Sequence, residues 1–325
     1  MINDTPLNTA GNSSKPGWER ELIEKLAMEA LREQRLRRRW GIFFKLIFLA
    51  LTVSSLYLFS DFGSGEMENL GRHTALVEID GAIESEGSGS AQAVIPALNR
   101  AFLDANSVGV IMRINSPGGS PVQAGMISDE IGRLRKEFPQ KKLYVVVDEM
   151  CASGGYYIAA AADKIFVNKA SVVGSIGVLM DGFGFTALME KAGVERRLMT
   201  AGENKGFMDP FSPHSEKQKA FSQTMLNEIH QQFIDVVRKG RGQRLKETPE
   251  TFSGLFWIGS KAVEMGLADD FGSVDSVARD VFKAEDIVDY TQKEGLPERV
   301  LKKFGASIGN GAISSIWKGS SPSLR

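Results

Sequence analysis

The residue in this sequence best set for covalent chemistry is a serine on a tight strand-to-helix turn. Ser153 lies in Cys151-Ala152-Ser153-Gly154-Gly155-Tyr156-Tyr157, between an apolar strand pattern and a short helical one. A nucleophile elbow presents its hydroxyl at such a turn, although Cys151 stands where the G-x-S-x-G form has its first glycine. A serine there suits equally well the capping of the helix that follows. A second turn, Asn115-Ser116-Pro117-Gly118-Gly119-Ser120-Pro121, also joins a strand pattern to a helix. Its N–H groups, at a helix N-terminus, make an anion or oxyanion site, while its glycines serve steric needs just as well.

A nucleophilic serine needs a base. His73, His214 and His230 are the only histidines, and none has an evident partner acid. The alternative is a lysine, as in Ser/Lys hydrolases. Its pKa must fall by roughly 3 units from about 10.4 to act near neutrality, which costs about 4 kcal/mol of desolvation. Lys205, in Ala201-Gly202-Glu203-Asn204-Lys205-Gly206-Phe207-Met208, has apolar neighbours and no run of other charges, although a solvated surface lysine has the same local sequence. A third small-residue turn, Ser171-Val172-Val173-Gly174-Ser175-Ile176-Gly177, offers a hydroxyl to hold an amine.

The elements that must position these residues alternate. Strands are predicted at 74–80, 108–114, 143–148, 164–168 and 175–180. Helices are predicted at 91–105, 121–138, 154–162, 260–266 and 273–284, with a long amphipathic helix at 214–239. Continuous β-branched runs alternating with helices argue for an α/β fold, a parallel sheet covered on both faces.

Composition excludes several classes. Of 325 residues, 39 are Lys or Arg and 40 are Asp or Glu, so bulk nucleic-acid binding is not expected. One cysteine excludes an internal disulfide and a multi-thiolate metal site, and the scattered histidines show no metal-ligand spacing. No metal or cofactor is expected. Residues 40–59, WGIFFKLIFLALTVSSLYLF, carry one charge, Lys45. Twenty residues at 1.5 Å rise span roughly 30 Å of hydrocarbon, and a lysine near one end can snorkel. A secretory signal fits poorly, because the run starts at Trp40 and no small-x-small site follows closely. Arg32, Arg35, Arg37, Arg38 and Arg39 precede the run, whereas 61–80 hold one Arg and five acids. The positive-inside rule then places the N-terminus in the cytoplasm and the rest across a bacterial inner membrane, in the periplasm. The expected organisation is a cytoplasmic segment 1–39, an anchor 40–59, a linker 60–73, a domain 74–290 and a tail 291–325.

Taken in order, NSPGGSP at 115, ASGGYYIAAAADKI at 152, SVVGSIGVLM at 171, AGENKGFMDPF at 201, KGRG at 239 and GSKAVEMGLADDFGSVDSV at 259 resemble the bacterial signal peptide peptidase A family, short single-domain form. The resemblance covers roughly residues 74–285. It departs from the family at Phe256-Trp257, where relatives often carry a more polar strand and turn. It implies a Clp-protease/crotonase-like domain behind one transmembrane helix, acting as a membrane-anchored serine endopeptidase on signal peptides and other hydrophobic peptides. Carried over by motif, Ser153 is the nucleophile, Lys205 the general base and Ser175 the hydroxyl that orients the lysine. Gly119 and Gly154 N–H form the oxyanion hole. The resemblance also implies a ring-like homo-oligomer in which neighbouring subunits can share the dyad. Rival readings are a related Ser/Lys protease acting on membrane or misfolded periplasmic proteins, a catalytically silent peptide-binding scaffold, and an acyl-CoA enzyme of the crotonase type.

Overall fold

The computed structural model describes residues 18–63 and 71–292. The chain divides into two compact units near residue 70. The first unit is one helix, α1 (Trp18–Gly63), which runs from the charged segment through the apolar one. Trp40, Phe43, Phe44, Phe48 and Leu51 are exposed along it. Among the described residues no helix is long and apolar enough to cross a membrane. The side chains of 56–59, the end of the expected anchor, lie outside those residues, as do 1–17, most of the expected linker and the tail from 293.

The second unit is an α/β domain on an eight-stranded sheet. It opens with β1 (His73–Asp80), α2 (Ala91–Leu103), β2 (Ser107–Ser116) and α3 (Pro121–Glu137). Then come β3 (Lys142–Ala152), α4 (Gly154–Ala159), β4 (Lys164–Val167), β5 (Val172–Gly174), α5 (Thr186–Lys191) and α6 (Glu216–Arg241). β6 (Phe256–Ile258), α7 (Gly259–Glu264), β7 (Asp270–Phe271), α8 (Val274–Ser276), a π-helical turn Val277–Phe282 and β8 (Ile287–Asp289) close it. The sheet order is β6-β5-β3-β2-β1-β8, with β4 between β3 and β7. Every pairing is parallel except β5 with β6.

Alternation along the strands builds two cores. Val110, Met112 and Ile114 of β2 pack with α2, α3 and α4, whereas Ile111 packs with Val146, Phe166, Val277 and Ala278 on the other face. Burial on both faces explains why β2 and β3 read as continuous apolar runs.

Three expectations are corrected. β3 runs four residues past the predicted end at 148, because a register shift between Ile114 and Ser116 lets Cys151 pair with Ser116. Polar Asp148 and Glu149 hide that continuation. The strand expected at 175–180 is absent, and β5 lies at 172–174 instead. Gly174 (φ 112°) and Ser175 (φ 51°) turn the chain out of the sheet, and Leu179 and Met180 beyond them are exposed. The helix expected at 273–284 divides into α8 and the π-helical turn.

Candidate active site

Open parallel sheets bind ligands at the carboxyl ends of their strands. Here β2, β3 and β5 end side by side, delivering Ser116, Ala152 and Gly174. Ser153 follows Ala152 with φ 51° and ψ −122°, a backbone that side-chain-bearing residues rarely adopt. Its N–H donates to Gly174 O at 2.9 Å, and its carbonyl accepts from Tyr157 N–H at 2.9 Å. The capping alternative fails: the Ser153 side chain makes no cap hydrogen bond. By contrast Ser90, Ser120, Ser215 and Ser273 each cap a helix through the hydroxyl. The Ser153 hydroxyl is therefore unspent, half-buried at the mouth of α4.

The Asn115–Pro121 turn wraps this serine. A Cβ on Gly118 would lie 2.7 Å from Ser153 Cβ and 2.8 Å from Gly154 N, so only glycine lets the backbones come this close. Ile83 pairs with the turn from the other side: its N–H donates to Gly118 O at 2.9 Å, and Ser120 N–H donates to its carbonyl at 2.7 Å. Those bonds use the groups on either side of Gly119 and leave the Gly119 N–H without an acceptor among the described residues. Gly119 N lies 3.3 Å from where a Cβ on Gly154 would stand. Gly154 N–H, at the start of α4, also has no acceptor among the described residues. Two unspent N–H groups beside an unspent hydroxyl can hold a developing oxyanion.

Ser175 enters through β5. Ala152 pairs with Gly174, so the residues that follow, Ser153 and Ser175, leave adjacent strand ends, both with φ 51°. Ser175 N–H donates to Leu255 O at 2.8 Å.

Lys205 makes no hydrogen bond to any of these residues among the described residues. It sits in a turn closed by its own N–H on Gly202 O at 3.1 Å, exposed, with no hydrogen bond or ion pair from its amine among the described residues.

The histidines divide. His73 is buried at the start of β1, with its ring 3.0 Å from Tyr290 OH and 3.6 Å from the Asp104 carboxylate. That is the strand end opposite Ser153. His214 is exposed ahead of α6. His230 lies on α6 with Nε2 3.1 Å from Ile176 O. Tyr156 is packing rather than cleft: fully buried, it donates to Leu267 O at 2.7 Å, and burial pushes its pKa up. Burial likewise pushes up the Cys151 thiol. A cavity of about 930 Å³ bounded by α3, α6 and the Ala160–Ala161 segment after α4 includes Lys141, Lys142 and Asp163, at the strands' starts. It lies away from Ser153. Reasoning from sequence missed the roles of Ile83, Gly174 and Leu255, whose backbones alone do the positioning; Gly118 and Gly174 were visible in the motifs but not as neighbours of Ser153.

The sequence profile described as Peptidase family S49 matches residues 135–287. A Brucella abortus protein named "Na(+)/H(+) antiporter NhaA" is 40% identical over 241 residues, 72% of this chain and 33% of that protein. An Enterococcus faecium protein named "Putative signal peptide peptidase SppA" is 33% identical over 56% of this chain and 53% of its own length. "Protease 4" of Haemophilus influenzae is 30% identical over 80% of this chain and 42% of its own. The chain thus spans between a third and about half the length of these relatives.

Proposed function

Because the chain belongs to peptidase family S49, a family of serine proteases, we propose that it is a membrane-anchored endopeptidase degrading hydrophobic peptides such as cleaved signal peptides, with Ser153 as nucleophile and Lys205 as general base. The observation that carries the reading is the Ser153 hydroxyl, held on a strained turn, uncapped, beside the unpartnered N–H groups of Gly119 and Gly154. In this reading the domain has the Clp-protease/crotonase-like arrangement, and residues 40–59 anchor it in a bacterial inner membrane with the domain in the periplasm. The exposed aromatic and aliphatic side chains along α1 support an anchor.

The chemistry follows from the groups. The neutral Lys205 amine removes the Ser153 hydroxyl proton as Oγ bonds to the peptide carbonyl carbon, and the carbonyl electron pair moves onto oxygen. Gly119 and Gly154 N–H stabilise that oxyanion. Its collapse breaks the C–N bond, and the Lys205 ammonium returns the proton to the departing amine. Water, deprotonated by the Lys205 amine, then adds to the acyl carbon; the C–O bond to Ser153 breaks, the acid leaves, and the Lys205 ammonium returns the proton to Ser153 Oγ. The Ser175 hydroxyl orients the amine.

Lys205 is exposed in its own subunit, so it acts on a neighbour's Ser153 in a homo-oligomer. Support comes from the apolar side chains exposed around it in the sequence: Leu179, Phe183, Leu188, Met199 and Phe211 would be covered by such a neighbour. The test is cleavage of a fluorogenic apolar peptide by the detergent-solubilised full chain, as wild type, Ser153→Ala and Lys205→Ala. Loss in both variants, with assembly kept, is expected. Full activity in either removes that residue from the mechanism.

A further inference from the structure

His230 lies at the middle of α6, and its Nε2 is 3.1 Å from Ile176 O. A carbonyl only accepts, so the ring presents Nε2–H to it. That carbonyl belongs to the residue after Ser175, whose own N–H is fixed on Leu255 O at 2.8 Å. The residue before Ser175, Gly174, receives the Ser153 N–H at 2.9 Å. The Ser153 turn is thus bonded to the Ser175 turn, which Leu255 and α6 hold from beyond it. One helical turn further along α6, the Phe233 ring packs 5.2 Å from the Tyr157 ring of α4, the helix that Ser153 begins. A single face of α6 therefore bears on both serine turns.

A non-glycine residue keeps a left-handed backbone only where its surroundings over-determine it. Around Ser175 those surroundings are the Leu255 carbonyl on one side and the His230 ring on the other. The hydrogen bond from His230 is unlike the apolar contacts that Phe233 and Val237 make from the same helix: it fixes the Ile176–Gly177 peptide plane, and with it the path by which the chain leaves the Ser175 turn.

We infer that His230 is a positioning residue, whose Nε2–H on Ile176 O holds the Ser175 hydroxyl in register with Ser153. Its kinetic consequence rests on the peptidase reading above; the contact itself does not. A histidine that merely fills space would be replaceable by leucine, whereas one that fixes the carbonyl needs an N–H at the Nε2 position, which glutamine can supply.

The experiment uses the full chain in detergent as wild type, Ser153→Ala, His230→Leu and His230→Gln, with a fluorogenic apolar peptide. His230→Leu should lower kcat at least about tenfold with KM within about twofold, because a small displacement of a catalytic group is costly to rate. His230→Gln should recover most of that loss. Wild-type kcat in His230→Leu, or equal loss in both variants, overturns the inference. The second measurement is the ring tautomer by ¹⁵N NMR, with His230 identified by its disappearance in His230→Gln. An Nε2–H tautomer supports the contact, and an Nδ1–H tautomer overturns it. Equal cleavage by wild type and Ser153→Ala, or none by wild type, would sink the peptidase reading instead, and the tautomer would still decide for or against the contact.

Discussion

Ser153 donates its N–H to the carbonyl of Gly174 at 2.9 Å, tying the end of β3 to the end of β5. The bond holds Ser153 at φ 51° and ψ −122°, where a Cβ is unwelcome. Replacing Ser153 by alanine keeps that Cβ, and replacing it by glycine removes it. Ser153→Gly should therefore be more stable than Ser153→Ala by about 1 kcal/mol, after allowing for the greater entropy of an unfolded glycine. Both should lack peptidase activity. Urea denaturation of the two variants reads the difference, and equal midpoints would mean that the turn carries no strain.

Gly154 gives a sharper test of the proposed oxyanion hole than Gly119 does. A Cβ on Gly119 would meet Ile83 O at 2.2 Å on a backbone with φ 149°, so Gly119→Ala disturbs the fold itself. Gly154 has an ordinary helical backbone, and its Cβ would meet Gly119 N at 3.3 Å and the Ala124 methyl at 3.6 Å. Gly154→Ala should fold, with the new methyl crowding the space between the two N–H groups. A fall in kcat on the order of 10² is expected, with a melting temperature close to wild type. Unchanged kcat in that variant would place the oxyanion elsewhere.

The geometry of the candidate site was legible in the sequence where it rests on local turn chemistry. Ser153 between a strand and Gly154-Gly155, and the double glycine at 118–119, are readable because a left-handed backbone and close approach leave residue-type traces. The α/β alternation was readable from continuous apolar runs such as Leu143–Val147. What failed was non-local. The end of β3 depends on Cys151 pairing with Ser116 across a register shift, and β6 (Phe256–Ile258) is a strand because β5 lies beside it. Apolar Val178–Met180 looked like a strand, yet the turn at Gly174–Ser175 sends it out to solvent. His230 offered no signal at all, since its partner is a backbone carbonyl 54 residues away.

Arg241, of the KGRG segment, has a fully buried side chain that donates to Gly266 O at 2.8 Å and to the Asp269 carboxylate at 2.8 Å. Burial pushes the Asp269 pKa up, but the Arg241 hydrogen bond and charge, the Ile165 N–H and Arg244 outweigh it and hold the carboxyl below its ordinary value. Because the folded value is the lower one, the stabilisation is present above the unfolded pKa of about 4 and is lost as pH falls through the folded value. Wild-type stability should therefore drop on acidification below about pH 4. Asp269→Asn leaves a buried guanidinium uncompensated and should cost about 3–5 kcal/mol at neutral pH. Its denaturation midpoint should also depend less on pH in the acid range. A variant as stable as wild type at pH 7 would show that the pair is dispensable to the fold.

Sharing the dyad between subunits makes a quantitative prediction. If Lys205 serves a neighbour's Ser153, each site in a ring draws its serine from one chain and its lysine from the next. Ser153→Ala and Lys205→Ala assemblies are then separately inactive, but an equal mixture, dissociated and reassembled, contains sites that receive both intact residues. Random assembly gives about a quarter of sites a serine from a Lys205→Ala chain and a lysine from a Ser153→Ala chain. Recovered activity near a quarter of wild type is expected with the fluorogenic peptide, and it should vanish if the two variants are mixed without exchange. A dyad completed within one chain predicts none in either case, because no chain in the mixture carries both residues. The exposed setting of Lys205 then has to be replaced by a movement of its turn toward the Ser153 of the same subunit.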